Sequence, residues 1–257
     1  MTSAVGGYAF GDSAPAARRL GLLADLFEPA SRPFLTRFAD RQVDLAVDLG
    51  CGTGHTTRLL AAVLRPRRTM GLDQSASFVA LAAADAPPAV EFAVHDVTQV
   101  PFPCPPADLV SCRLLLSHLA DPAAALTAWG TQLAPGGLLL VDEVEHIHTT
   151  DPALGGYLDI AAALLASRGQ TLEIGPVLHR LPDPPGLTRR HDQLATLTPP
   201  AAQAAAMFAQ NLAVWRDSAV SAGLATETDL NRLATALAEV EEGEISWELR
   251  QLAFQRA

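Results

Sequence analysis

The chain has 257 residues, 49% of them hydrophobic, enough length and apolar content for one large core in a single domain. All 18 basic residues are arginine, set against 28 acids for a formal net charge of -10 at pH 7; this balance repels phosphate backbones and anionic lipid, so neither nucleic acid nor a membrane is an expected partner. No apolar run reaches the roughly 18–20 residues of a membrane helix, and residues 1–10 lack the basic start and apolar core of a signal peptide, so a cytoplasmic location is expected.

The arginine-only, Ala-, Leu- and Pro-rich bias reads as GC-rich bacterial coding. Cys51, Cys104 and Cys112 are odd in number and show no ligand spacing, which speaks against a disulfide framework or a zinc site.

In chain order, the segment after Asp12 carries Leu20, Leu22, Leu23, Leu26 and Phe27 on one broad helical face. A strand is expected at Leu45–Leu49, then a glycine-rich turn, then a helix burying Leu59, Leu60, Val63 and Leu64. The alternation continues with strand Thr69–Leu72, helix Ser75–Ala86, strands Val90–Val94 and Ala107–Cys112, helix Pro122–Leu133 and strand Leu138–Val141. Strands separated by helices predict an α/β fold with a parallel sheet covered on both faces. After Asp142 helices and long loops are expected, then strands near Thr188–Thr196 and Ile245–Phe254 as a hairpin-like edge. Helical stretches at Pro200–Ala222 and Glu227–Glu241 would form a cap between them. Proline clusters at 101–106 and 182–185 mark loops.

The sharpest motif is Val-Asp-Leu-Gly-Cys-Gly-Thr-Gly, residues 47–54, with Gly50, Gly52 and Gly54 between strand and helix. Glycine lets the chain turn sharply and lets a ligand touch backbone that a Cβ would screen. The spacing is GxGxG rather than the GxGxxG of dinucleotide folds, and Asp48 closes the preceding strand. Both features favour an amino-acid nucleoside over a pyrophosphate. Asp73, in Gly-Leu-Asp-Gln with Gln74 after it, ends the second strand; such an acid can accept hydrogen bonds from both ribose hydroxyls or cap the helix beginning near Ser75.

With these residues in this order the chain resembles the class I S-adenosylmethionine-dependent methyltransferases. The resemblance implies a doubly wound, Rossmann-like, seven-stranded, mostly parallel sheet with helices on both faces and an added helical cap. It implies S-adenosylmethionine as cofactor, S-adenosylhomocysteine as product and no metal, with Asp48, Gly50, Cys51, Gly52, Gly54, Asp73 and Gln74 in the cofactor site. Asp96 would meet the adenine amino group and the Val97 amide a ring nitrogen, with a plain loop cap as the alternative for Asp96. Ala107–Cys112 matches the family's fourth strand, after which Arg113, Leu114 and His118 would approach cofactor and acceptor; Arg113 could equally pair with a surface acid. Leu133–Leu138 matches the turn before the fifth strand. Tyr8, Phe10 and Arg19 resemble the lid of small-molecule members, where an arginine can pair with the methionine carboxylate; an ordinary leader with a solvated Arg19 is the other reading.

The resemblance covers about the first 140 residues and divides the chain into an N-terminal helical lid (1–40), a cofactor-binding half (41–145) and a substrate-side half with a helical insertion (146–257). Acceptor chemistry belongs beyond the carboxyl ends of the strands, which selects His118 and the stretch Asp142–His148. Within it Glu145 and His146 are candidate holders or bases for an acceptor, or simply loop polar groups. His146 and His148 are too few for a metal. Met207, Asn211 and Trp215 recur on one helical face, either as pocket wall or as core. The expected activity is methyl transfer to oxygen, nitrogen or carbon of a small organic acceptor, in a monomer or homodimer. The alternatives are a protein methyltransferase and a non-catalytic cofactor-binding subunit.

Overall fold

The computed structural model describes the backbone from residue 14 and the side chains from residue 17. It opens with α1 (Ala14–Thr36), then β1 (Leu45–Leu49), α2 (His55–Leu64), β2 (Arg68–Asp73), α3 (Ala76–Ala84), β3 (Val90–Val94) and β4 (Ala107–Arg113). A short 3-10 turn (Leu116–His118), α4 (Pro122–Gly130) and β5 (Leu133–Thr149) follow. The second half comprises α5 (Pro152–Ala166), α6 (Gly175–Arg180), β6 (Leu187–Leu197), α7 (Ala201–Ser221), α8 (Glu227–Ala238) and β7 (Ile245–Arg256).

Local chemistry sets these boundaries. All five residues of β1 are buried, as expected of a strand covered on both faces. Both α4 and α5 begin with Asp-Pro. Asp121 accepts from the Ala124 amide at 2.9 Å and Asp151 from Ala153 and Leu154 at 2.8 and 2.9 Å. The prolines stand where a helix needs no donor. Thr226 and Asp229 form a capping box that starts α8.

The seven strands form one sheet in the order β3-β2-β1-β4-β5-β7-β6. β1 to β5 are parallel, while β7 runs antiparallel to both β5 and β6. One face buries Val47, Leu72, Val110, Leu139 and Val141 against Trp129 of α4. The other packs Ala46, Leu109 and Leu140 against Phe34 of α1 and Leu60 of α2. This is the doubly wound arrangement. A third cluster joins α1, α5, α7 and α8 to the outer ends of β5 and β7, with Tyr157 and Phe208 stacked at 3.9 Å beside Trp215; it is the helical cap.

Two boundaries differ from the sequence reading. The helix expected to reach Leu133 stops at Gly130, and the strand expected at Leu138–Val141 runs for 17 residues, Leu133–Thr149. β7 supplies the reason: its pairing with β5 continues from Leu138↔Gln255 to Thr149↔Ile245, well past the point where β4 ends. Asp142–His148, expected as a loop, is therefore strand.

Candidate active site

The site begins where β1 ends. Gly50, Gly52 and Gly54 all have positive φ (64°, 51° and 83°), the left-handed region that costs an L-residue strain. A Cβ would meet the Leu115 side chain at Gly50, Leu20 at Gly52, and Phe92 with Arg58 at Gly54. The turn is braced from below. Thr57 donates to the Asp48 carboxylate at 2.6 Å. Arg58 donates to the Thr53 carbonyl at 2.9 Å and the Ala82 carbonyl at 2.7 Å while lying over the Phe92 ring. Burial pushes the Asp48 carboxyl up to about 7, against the Thr57 hydrogen bond and the Arg113 charge. The Cys51 amide donates to the Leu72 carbonyl at 3.0 Å, and burial raises its thiol pKa.

Neighbouring strand ends bring two more acids to the same edge. Asp73 accepts from the Gly52 amide at 2.8 Å through Oδ2 and from the Ser75 amide at 2.9 Å through Oδ1. Ser75, not Asp73, caps α3 by accepting from the Phe78 amide. Gln74 is exposed beside it. Asp96 folds Oδ1 back onto the Thr98 amide and hydroxyl at 2.9 and 2.7 Å, leaving Oδ2 for another donor. Val97 is buried, and its carbonyl accepts from Trp129 at 2.8 Å.

Beyond β4 the chain turns through Leu114, whose φ is 53°. Arg113 donates to Ser31 Oγ at 3.4 Å; Ser31 in turn donates to Asp142 at 2.7 Å, which also accepts from Gln251. Burial lowers the Arg113 pKa, and Asp142, Asp48 and Glu28 oppose the shift. Burial, then the charges of Arg19 and Arg168, hold the His118 imidazole down at about 3, so it is neutral throughout the physiological range. Arg19 is 2% exposed and donates to Asn211 Oδ1 at 3.2 Å, and Asn211 donates to the Tyr157 hydroxyl at 2.7 Å. The α1 arginine thus reaches the cap and the neighbourhood of His118.

Two further expected residues, Glu145 and His146, are engaged with partners of their own. Glu145 is gripped at both oxygens by Arg250, at 2.8 and 2.9 Å, and His146 pairs with Glu173 at 3.0 Å. Tyr8 and Phe10 lie outside the described residues. Among those described, no group of three or more His, Cys, Asp or Glu is placed to hold a metal, and no helix is long and apolar enough to cross a membrane. Sequence reasoning missed Thr57 and Arg58, which carry no motif of their own, and reached Glu143 only as a member of the stretch Asp142–His148, without a role; Glu143 accepts from the Leu115 and Leu116 amides at 2.7 and 2.8 Å.

Comparison with known proteins agrees with this geometry. Residues 47–141 match the family described as a methyltransferase domain. Trans-aconitate 2-methyltransferase of Klebsiella pneumoniae is 37% identical over 118 residues, 46% of this chain and 46% of that protein. The chain's match thus spans about half the length of that curated relative. A Bacillus halodurans protein assigned as a methyltransferase superposes with a TM-score of 0.60 at 16% identity, over 88% of this chain and 98% of its own. Phosphoethanolamine N-methyltransferase 2 of Haemonchus contortus, solved with S-adenosylhomocysteine, superposes with a TM-score of 0.55 at 16% identity, over 93% of this chain and 57% of its own. At such identities the likeness is one of fold. Through the span from Val47 to Val141, the chain is similar to proteins of the methyltransferase-domain family.

Proposed function

We propose that this chain binds S-adenosylmethionine over the carboxyl ends of β1 to β4 and transfers its methyl group to a small organic acceptor held between the β4 loop and the cap. The observation that carries the reading is the Asp73 carboxylate bonded to the Gly52 amide. It joins a side-chain acceptor for ribose hydroxyls to a turn whose backbone only glycine can shape. The partnerless Asp96 Oδ2 suits an amino group such as that of adenine. Asp48, Arg113 and Asp142 set charge of both signs near the amino-acid end. In this reading α1 acts as a lid, residues 41–145 hold the cofactor and residues 146–257 shape the acceptor side.

The cofactor supplies a methyl group already activated on a sulfonium, open to in-line displacement. What the protein adds is placement, worth up to about 7–11 kcal/mol where two reactants are held in line. His118, neutral and far below the ordinary imidazole range, is a poor base, since a base works best with a pKa near the operating pH. It suits hydrogen bonding and packing of an acceptor. An acceptor carboxylate needs no base, being ionised at neutral pH, and Arg113 and Arg19 are the cations at hand to hold one. The relatives named for trans-aconitate, a polycarboxylate, support an acceptor of that class. Glu145 has no part in this proposal, because its carboxylate is spent on Arg250. The composition and the bacterial relatives support a cytoplasmic place in bacterial small-molecule metabolism.

Calorimetric titration with S-adenosylmethionine and S-adenosylhomocysteine tests the proposal. Saturable binding by wild type is expected. Asp73→Ala should weaken it by about 10- to 100-fold, the cost of losing a charged hydrogen bond. A well-folded wild type that binds neither ligand sinks the reading.

A further inference from the structure

Leu114, Leu115 and Leu116 are consecutive, yet they enter two different cores. Leu114 packs with the cap cluster, whereas Leu115 and Leu116 pack with the α4-side cluster beneath the sheet's carboxyl edge. The backbone can split them only by taking Leu114 into the left-handed region, at φ 53°, which a leucine holds only when its surroundings over-determine it. Leu115 lies over the glycine turn, its Cδ1 2.7 Å from where a Cβ on Gly50 would stand.

Three hydrogen bonds fix this turn, all accepted by two consecutive residues of β5, Asp142 and Glu143. The Leu114 amide donates to the Asp142 carbonyl at 3.1 Å. The Leu115 and Leu116 amides both donate to a single oxygen of Glu143, Oε1. Glu143 is 0% exposed, and its second oxygen, Oε2, is buried with no hydrogen-bond partner. Along the same strand face, Leu139 and Val141 are apolar members of the α4-side core. A carboxyl in that row carries a desolvation cost that an apolar residue would avoid. Its return is the hold on two amides of the loop that bears Arg113 and His118.

We infer that Glu143 is a positioning residue for methyl transfer: its carboxyl fixes how closely Leu115 lies over Gly50 and where Arg113 and His118 stand. This rests on the function proposed above. Glu143 touches no reacting atom and acts through the loop amides.

The groups facing Glu143 make its role separable from plain support. Asp142 on β5 and the Cys112 thiol on β4 are its titratable neighbours. Its β7 register partner, Arg250, gives its guanidinium to Glu145 and Asp192 instead. Burial lifts the Glu143 carboxyl to about 8, against the amides of Leu116, Leu115 and, more weakly, Ser117, and with a smaller push from Asp142. Because the closed loop disfavours the charged form, opening that hydrates Glu143 becomes easier as pH rises toward that value and levels off above it.

The test compares wild type, Glu143→Gln and Glu143→Leu at pH 6 and pH 9. It reads amide hydrogen exchange over residues 114–118, corrected for intrinsic rates, and calorimetric binding of S-adenosylhomocysteine. The glutamine variant keeps an acceptor oxygen for the amides and removes the ionisation. It should match wild type at pH 6 and bind about fivefold or more tighter than wild type at pH 9, with loop exchange that no longer rises with pH. The leucine variant removes the acceptor and should weaken binding about tenfold at both pH values; if it fails to fold, the glutamine pH profile decides. Binding by wild type and glutamine that stays equal at both pH values overturns the positioning role alone. A wild type whose loop opens with pH but which binds no S-adenosylhomocysteine removes the methyltransferase reading, and this role with it.

Discussion

Gly50 is a residue at which two constraints meet. Its φ of 64° strains any side chain, and a Cβ would stand 2.7 Å from the Leu115 side chain. Gly50→Ala is therefore expected to lower stability by roughly 1–3 kcal/mol, as overpacking and strain do, measured as a shift of the urea midpoint. Because the flexible end of Leu115 can give way, the β4 loop should move too, and S-adenosylhomocysteine binding should weaken more than stability alone explains. The glycines, Asp48 and Asp73 were legible in the sequence because their spacing is itself the motif. Thr57, Arg58 and Glu143 were not, since each gains its role from a partner that only folding brings within reach: Asp48, the Thr53 carbonyl and the β4-loop amides.

At the scale of elements, β5 carries the greatest departure from the sequence reading. β1 and β3 fell where expected because turns bound their apolar runs on both sides. β5 reads apolar only over Leu138–Val141, and the charged stretch after it looks like loop until β7 is alongside. One acid of that stretch is neutralised within the sheet: Arg250 of β7 holds Glu145 at both oxygens, and reaches Asp192 of β6 through its remaining nitrogen, at 2.6 Å. Removing one partner of a buried ion pair strands the other charge, at a cost of about 3–5 kcal/mol, whereas replacing both with apolar groups is often neutral. Arg250→Met should thus lower the melting temperature steeply, and Arg250→Met with Glu145→Leu should recover most of the loss. If the double variant melts no higher than the single one, the stranded charge is not the cause.

For the molecule as a whole, the buried acids make stability a function of pH. Asp48 at about 7 and Glu143 at about 8 are both raised by burial, whereas unfolded carboxyls titrate near pH 4. For these two groups the folded state therefore binds more protons than the unfolded state between about pH 4 and pH 8, and their contribution to stability falls as pH rises through that window. The neutral buried His118 contributes the opposite slope below about pH 6.5. Each pH unit separating folded and unfolded pKa values is worth about 1.4 kcal/mol, so the two groups together account for several kcal/mol. Urea midpoints measured from about pH 6.5 to pH 8.5, above the His118 window, should fall in wild type and fall much less in an Asp48→Asn, Glu143→Gln double variant; parallel slopes in the two proteins would refute the assignment.

The place of β7 between β5 and β6 has a consequence for the order of assembly. β6 pairs with β7 alone, yet the ribosome makes β6 first, then α7 and α8, and only then residues 245–256. Until those residues emerge, β6 has no ladder to join and the outer edge of β5 stays open. One late strand then seals two edges and draws in the helices threaded between them. The cofactor half can take shape during synthesis from neighbouring pieces, whereas the acceptor side closes as a single event that waits on distant contacts, the kind that forms slowly.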